Sequence, residues 1–449
     1  MIRKEGIHLY IQITNLDSIV KKEENGNKSL EHSIHALNAS FTLIERESKS
    51  KGFIVEKVTG SRLHLYCEEC SNLTFENVMY IVRYVKTLFT YFNNKVAKYK
   101  TLPSFEIKMG AACGDFYEFI FDKTTEITTI GYAANFAAKL QASSKIGCLS
   151  ISEELYNRIN YSYKKGFDKE LTREFLIYKQ NCYYICKVKP LEFVEFEKKM
   201  KEIDECINKI NLCEIDFLGA RELINPETLS VKQSKCVEGC VLFADVRGFT
   251  KKFDSQGNNL KLMKNITKNV LEAMYNKVVN KGVHLQFQGD REVALFHKYA
   301  GNDIFVKDSV LTAMSIIDSI RNISKEAGIN FTIGIGIGFG NVFISRIGTN
   351  NEKDVVILGK TVNEANYLED NCALENEIAI SKNAYLKLQE EEKKLCSVFE
   401  KRNDYYVTKV SKSEYINKLQ AKKVDFDTRN RNYNGAWLDF TAMDLQEYD

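Results

Sequence analysis

Two aspartates in the second half of the chain, Asp245 and Asp290, have the residue type and setting for divalent-metal chemistry. Asp245 ends the buried-type strand Val241-Leu242-Phe243-Ala244, and Asp290 follows the glycine of a hairpin, His284-Leu285-Gln286-Phe287-Gln288-Gly289. They lie 290 − 245 = 45 residues apart, a separation that lets them meet on adjacent strands. Hard carboxylates suit Mg²⁺ or Mn²⁺, two ions in all, which take oxygen ligands and keep positions open for phosphate and water. The carbonyl of Val246 offers a further oxygen. Directly after Asp245, Val246-Arg247-Gly248-Phe249-Thr250 supplies a glycine turn and then a helix start, so Gly248, Phe249 and Thr250 are placed to present backbone N–H groups to a triphosphate. A single Asp after a strand is ordinarily a turn residue. The pair, in this setting, is the signal.

The elements that must carry these residues occur twice. His8-Leu9-Tyr10-Ile11-Gln12 corresponds to Val241-Leu242-Phe243-Ala244-Asp245, and Val55-Glu56-Lys57-Val58-Thr59-Gly60-Ser61 to the hairpin ending at Asp290. Phe105–Gly110 corresponds to the Ile333–Ile337 region, and Ile130-Gly131-Tyr132-Ala133-Ala134-Asn135 to Leu358-Gly359-Lys360-Thr361-Val362-Asn363. Gly60 to Gly131 spans 131 − 60 = 71 residues and Gly289 to Gly359 spans 359 − 289 = 70, as a tandem duplication requires. The shared order of strand, helices, hairpin, helix and strand predicts an α+β fold with a palm-like sheet. The expected division is 1–190 for the first repeat, 191–235 for a linker containing a charged helix over Phe196–Ile210, 236–415 for the second repeat, and 416–449 for a polar tail. The alternating run Gly334-Ile335-Gly336-Ile337-Gly338 reads as a strand with a bare face for close packing, not as a dinucleotide loop.

The segments FADVRGFT and FQGDREVALF resemble the two metal-binding motifs of class III adenylate and guanylate cyclases. The resemblance extends over both repeats and implies two tandem palm-like (ferredoxin-like) domains in a head-to-tail pseudo-dimer. It further implies Mg²⁺ or Mn²⁺ as cofactor, a nucleoside triphosphate as substrate, and cyclisation to a 3′,5′-cyclic nucleotide with release of pyrophosphate. One domain of such a pair supplies the metal carboxylates; its partner supplies base-recognition and transition-state groups. Here the first repeat has Gln12 and Ser61 where the second has Asp245 and Asp290, but keeps Lys57 at the base-reading position where the second has Gln286. By the same correspondence Thr128 is the second base-reading residue, Asn135 orients the ribose, and Lys139 occupies the transition-state arginine position. Lys139 brings charge without the bidentate fork of arginine. The second repeat offers Asn363 and the uncharged Tyr367 there, so its interface reads as a non-catalytic pocket.

Lys57 with Thr128 differs from the Glu and Cys pair of guanylate cyclases, and its donors and acceptors match adenine or uracil. The chain resembles in architecture the stand-alone pyrimidine cyclases of bacterial anti-phage (Pycsar) systems, which favours cyclic UMP, then cyclic CMP, with cyclic AMP as the alternative. A nucleotide-binding regulatory pseudoenzyme is a second alternative. A diguanylate cyclase would carry a GG(D/E)EF-like hairpin, which the sequence lacks. With Lys+Arg 63 against Asp+Glu 60, charge is balanced and a nucleic-acid partner is not implied. The first residues enter a strand directly, no apolar run approaches a membrane span, and the 12 cysteines are scattered, so a reduced, cytoplasmic protein without membrane attachment is expected. Cys67/Cys70 and Cys236/Cys240 are close pairs without the second pair a zinc site needs.

Overall fold

The computed structural model describes the chain except residues 1, 26–30, 100–103, 125, 174, 176–179, 193–196, 198, 202, 206–213, 217–219, 230–232, 249–259, 350–351 and 432–449. Two sheets of the same topology form its frame. In the first, β1 (Ile2–Ile13), β2 (Ile54–Thr59), β3 (Arg62–Cys67), β4 (Ile107–Ile120), β6 (Cys148–Ser152), β7 (Asp168–Leu171) and β8 (Cys182–Lys187) run in the order β2-β3-β1-β4-β6-β8-β7, and β5 (Ile127–Ile130) pairs with the far end of β4. In the second, β10 (Gln233–Arg247), β11 (Val283–Gln288), β12 (Arg291–His297), β13 (Thr332–Thr349), β15 (Glu377–Ser381), β16 (Glu400–Arg402) and β17 (Tyr405–Thr408) run β11-β12-β10-β13-β15-β17-β16. There β14 (Glu352–Leu358) pairs with β13, and β9 (Glu214–Asp216) lies parallel to β10. The tandem α+β expectation is met element by element.

Strand alternation divides each sheet into two faces. Ile7, Leu9, Ile11 and Ile13 of β1 turn toward the helices Glu31–Ser50 and Asn72–Tyr99, while Cys240, Leu242, Ala244 and Val246 of β10 turn toward the helices Leu260–Val278 and Phe305–Ala327. The opposite face of β10 carries Val241 and Phe243 and ends on Asp245. The glycines of β13 have the packing role read from their alternation. A Cβ at Gly338 would meet the carbonyl of Thr361, one at Gly336 the backbone of Ala365 and Glu369, and one at Gly334 the guanidinium of Arg247.

The repeats join through exchanged arms. Phe119, Phe121 and Ile130 of the β4–β5 arm enter the helical core of the second repeat, and Phe343, Ile347, Val356 and Leu358 of the β13–β14 arm enter that of the first. The polar contacts are reciprocal as well: Glu126 accepts the N–H of Phe287 at 3.3 Å, and its counterpart Asp354 accepts the N–H of Val58 at 2.7 Å. Equivalent residues making equivalent contacts in both directions define a pseudo-twofold, head-to-tail pair. Within the linker, Ile203 is buried against the first repeat and Asp204 accepts from the hydroxyl of Tyr91 at 2.6 Å. A helix over Lys412–Arg431 buries Tyr415 in the second core and extends into the segment read as a polar tail. Every cysteine among the described residues is a free thiol.

Candidate active site

The second repeat builds its carboxylate centre from a strand end and a hairpin turn. Gly248 and Gly289 take φ of +70° and +71°, a left-handed conformation open to glycine, with no atom of the described residues within 4 Å of where a Cβ would stand. Gly289 therefore turns β11 into β12 and sets Asp290 at the turn, beside the end of β10. Asp245 pairs across the ladder with Arg291. Burial and the charge of Asp245 push the Asp290 carboxyl well above the usual carboxylate range. Asp245 is also raised by burial, against the pull of Arg291, Arg247 and Lys139. Two half-buried carboxylates, one raising the other, are a donor set that divalent cations satisfy, and the buried backbone at Val246 places its carbonyl in the same strand end. Phe249 and Thr250 lie outside the described residues.

Across the interface, the first repeat directs the helix Tyr132–Ser143 at this centre. Asn135 is half-buried and Lys139, one turn on, is exposed, with its charge acting on Asp245. Lys57 is buried, donates to the carbonyl of Phe287, and pairs with Glu126 at 3.3 Å. Thr128 is buried and its hydroxyl has no hydrogen-bond partner among the described residues. Lys57 of the first repeat thus reaches β11, the strand that leads into the Asp290 turn.

Several residues here were not anticipated. Glu369 sits in a π-helical turn, Leu368–Cys372, directly after the helix Lys360–Tyr367. Its carboxylate, fully buried, pairs with Arg247 at 2.7 Å and with Arg291, and burial raises it to about 7 even with Arg291 beside it. Arg247 also lies 3.4 Å from Asp245 and donates to the backbone carbonyls of Glu369 and Ala373. Arg291 stacks over the ring of Phe243 at 4.4 Å. The counterpart of Glu369 in the first repeat is Gln141, whose amide donates to Gln12 at 2.6 Å. The positions of Asp245 and Glu369 are thus amides on that side, and that of Asp290 is Ser61. Around Lys57, Glu126 also binds His284 at 2.9 Å, and His284 in turn binds Glu292 at 2.7 Å. At the other interface, Asn363 donates to Asp17.

Residues 230–419 match the adenylate and guanylate cyclase catalytic domain family. The second repeat is therefore a class III cyclase catalytic domain, and the first is a second copy of its fold. Among solved structures, a class III adenylyl cyclase-like ATP-binding protein from Pseudomonas aeruginosa is similar over 93% of this chain and 90% of its own, with 17% identity and a TM-score of 0.67. The adenylyl cyclase CyaB from P. aeruginosa matches 39% of this chain and 93% of its own at 18% identity and a TM-score of 0.34. The guanylyl cyclase Cya2 matches 38% and 90% at 20% identity and a TM-score of 0.32. No curated protein matches the chain. Among the described residues no helix is long and apolar enough to cross a membrane.

Proposed function

We propose that the chain converts a nucleoside triphosphate to a 3′,5′-cyclic nucleotide and pyrophosphate at a single composite site. The observation that carries this reading is the contact across the interface: the carboxylates Asp245 and Asp290 come from the second repeat, and Lys57 of the first donates to the carbonyl of Phe287 on the strand that leads into the Asp290 turn.

Asp245, Asp290 and the carbonyl of Val246 would hold Mg²⁺ or Mn²⁺. When bound, such ions make the ribose 3′-hydroxyl easier to deprotonate and offset the charge of the triphosphate. The glycine turn at Gly248, followed by Phe249 and Thr250, is assigned to the phosphates. Asn135 orients the ribose so that its 3′-oxygen lies in line with the α-phosphorus. Lys139 stabilises the charge that builds on that phosphoryl group as the O3′–P bond forms and the bond to pyrophosphate breaks. No side-chain nucleophile takes part. Arg247 and Arg291 stay anchored on Glu369, a fixed positive field beside the phosphate turn.

Lys57 and Thr128 are assigned to the base, where a Lys donor and a free Thr hydroxyl match uracil O4 and ring N–H. The preferred product is cyclic UMP, before cyclic CMP, within bacterial anti-phage signalling; this finer assignment rests on residue matching and on the two-repeat architecture. Adenine matches the same two groups, and the P. aeruginosa protein of the same fold is described as ATP-binding, so cyclic AMP is the second reading. Incubation of the full chain with ATP, GTP, CTP and UTP separately, with Mg²⁺ or Mn²⁺, and mass spectrometry of the products tests both. One cyclic nucleotide is expected. Binding of nucleotide with no cyclic product from any of the four would favour the regulatory pseudoenzyme instead.

A further inference from the structure

Superposition of the two repeats by strand register exposes four buried positions where they differ in kind. In the first repeat these are His8, Glu56, His64 and Thr129; in the second, Val241, Leu285, Val293 and Ile357. The aliphatic four belong to one hydrophobic cluster. The polar four form a chain of hydrogen bonds. Glu56 accepts the N–H of Thr129 at 3.1 Å and its hydroxyl as well, and lies 2.8 Å from Nδ1 of His64. Nε2 of His64 lies 2.9 Å from Nδ1 of His8, and Nε2 of His8 ends the chain without a partner among the described residues. Tyr10 stacks on His64 at 4.0 Å, and Phe116 meets His8 edge-on at 4.5 Å. His8, His64 and Thr129 are 0%, 5% and 4% exposed.

Burying a carboxylate and two imidazoles is costly unless every group is paired, and the second repeat shows that the fold closes here with aliphatic residues alone. Packing therefore does not explain the chain. Its location does. Glu56 is the extra residue of a β-bulge in β2, next to Lys57, which pairs in the ladder with His64; Leu285 occupies the matching bulge in β11. Thr129 is the neighbour of Thr128 on β5. Thr128 and Thr129 point to opposite sides of that strand, so Glu56 grips β5 from behind the base-reading side.

We propose that Glu56, braced by His64 and His8, is a positioning residue for base selection: by holding Thr129 it fixes the separation of Lys57 from the free hydroxyl of Thr128. This rests on the assignment of Lys57 and Thr128 to the base. His8, Glu56 and His64 also have ligand atoms within 4.8 Å of one another, a spacing a metal could use. His64, however, directs one ring nitrogen at Glu56 and the other at His8, so its lone pair does not converge with theirs on a common point.

The test uses the full chain and titrates each of the four nucleoside triphosphates by binding and, where turnover occurs, by kcat and KM. Thr129→Val removes only the hydroxyl held by Glu56, and Glu56→Gln weakens the whole grip. In both, preference for the favoured base over the next is expected to fall about tenfold through KM and binding, with kcat at saturation and metal affinity little changed. Thr129→Val, the milder change, keeps the test valid where Glu56→Gln fails to fold. A loss of thermal stability with unchanged base preference in both variants would overturn the proposal. Lys57→Ala and Thr128→Ala separate the levels: base preference altered in these but not at Glu56 or Thr129 sinks this inference alone, whereas no alteration in any of the four sinks the base assignment and this inference with it. A metal retained through purification by the wild-type chain and lost on His8→Val would make the trio a ligand set and also overturn the proposal.

Discussion

The two hairpins of this molecule are the same piece of backbone used for opposite purposes. In the second repeat the turn carries Asp290, the strand end carries Asp245, and Glu369 holds two arginines behind them. In the first, Ser61, Gln12 and Gln141 stand at the matching places, and Gln141 simply bonds Gln12. The first repeat instead places its polar groups one layer further in, at Glu56, His64 and His8, where the second is aliphatic. Each repeat has charge where the other is neutral or apolar. Duplication relieves each copy of half the demand, because one interface site can stay complete while the other loses its carboxylates.

The largest effects should come from breaking that asymmetry at Asp245 and Asp290. Asp290→Ala removes a carboxylate that we assign to the metal and is expected to lower turnover about a thousandfold or more, read as cyclic product, while the fold stays intact by circular dichroism. Installing Asp at both Gln12 and Ser61 in that background should restore nothing, since the opposite helix offers Tyr367 and not a cation, and the opposite hairpin Gln286 and not a lysine. Recovery of product would show the two interfaces to be interchangeable. Next in size, Lys139→Ala should cost about a hundredfold in kcat, and Lys139→Arg should match or exceed the wild type. Tyr367→Phe, at the equivalent position, should leave turnover unchanged.

The same comparison shows what sequence could and could not deliver. Asp245 and Asp290 were legible because a strand end and a glycine turn are local features, and the repeat was legible because its glycines recur at fixed spacing. The arms were not. Glu126 and Asp354 accept backbone N–H groups that lie 161 and 296 residues away, and no pattern within a strand encodes a partner that distant. His8, Tyr10 and Gln12 alternate with Ile7, Leu9 and Ile11, which describes a half-exposed strand equally well; in the structure His8 is fully buried. Glu369, in Tyr-Leu-Glu-Asp, resembles an exposed helix face. The available signal for it was Gly336, whose missing side chain leaves room for the Glu369 turn.

Glu369 offers the next test. Its carboxylate, at zero exposure, pairs with Arg247 and Arg291, so Glu369→Gln leaves two half-buried cations under-compensated. Breaking one partner of a buried pair costs about 3–5 kcal/mol, and because both arginines are partly exposed a loss of unfolding free energy toward the lower end of that range is expected from denaturant titration. Gln141→Ala in the first repeat, which breaks only an amide pair, should cost clearly less. Equal losses would mean that the carboxylate's place beside Arg247 and Arg291 contributes nothing beyond packing.

The smallest effect concerns the seam between the repeats. Burial alone would lower the His284 imidazole, but Glu292 and Glu126 more than reverse this and hold it up at about 9, above its ordinary 6.5. A folded-state value above the unfolded one means that the folded protein keeps a proton the unfolded chain gives up. The stabilisation is therefore fully present below about pH 6.5 and fades as pH rises through about 9. Denaturation measured across that window should show stability falling by on the order of 2 kcal/mol, and His284→Asn should flatten the slope. Val55, its counterpart in the first repeat, faces no such pair, so Val55→Ala should shift the whole curve without changing its shape. An alkaline slope that survives in His284→Asn would place the titrating group elsewhere and leave the Glu126–His284–Glu292 contact without a role in holding the repeats together.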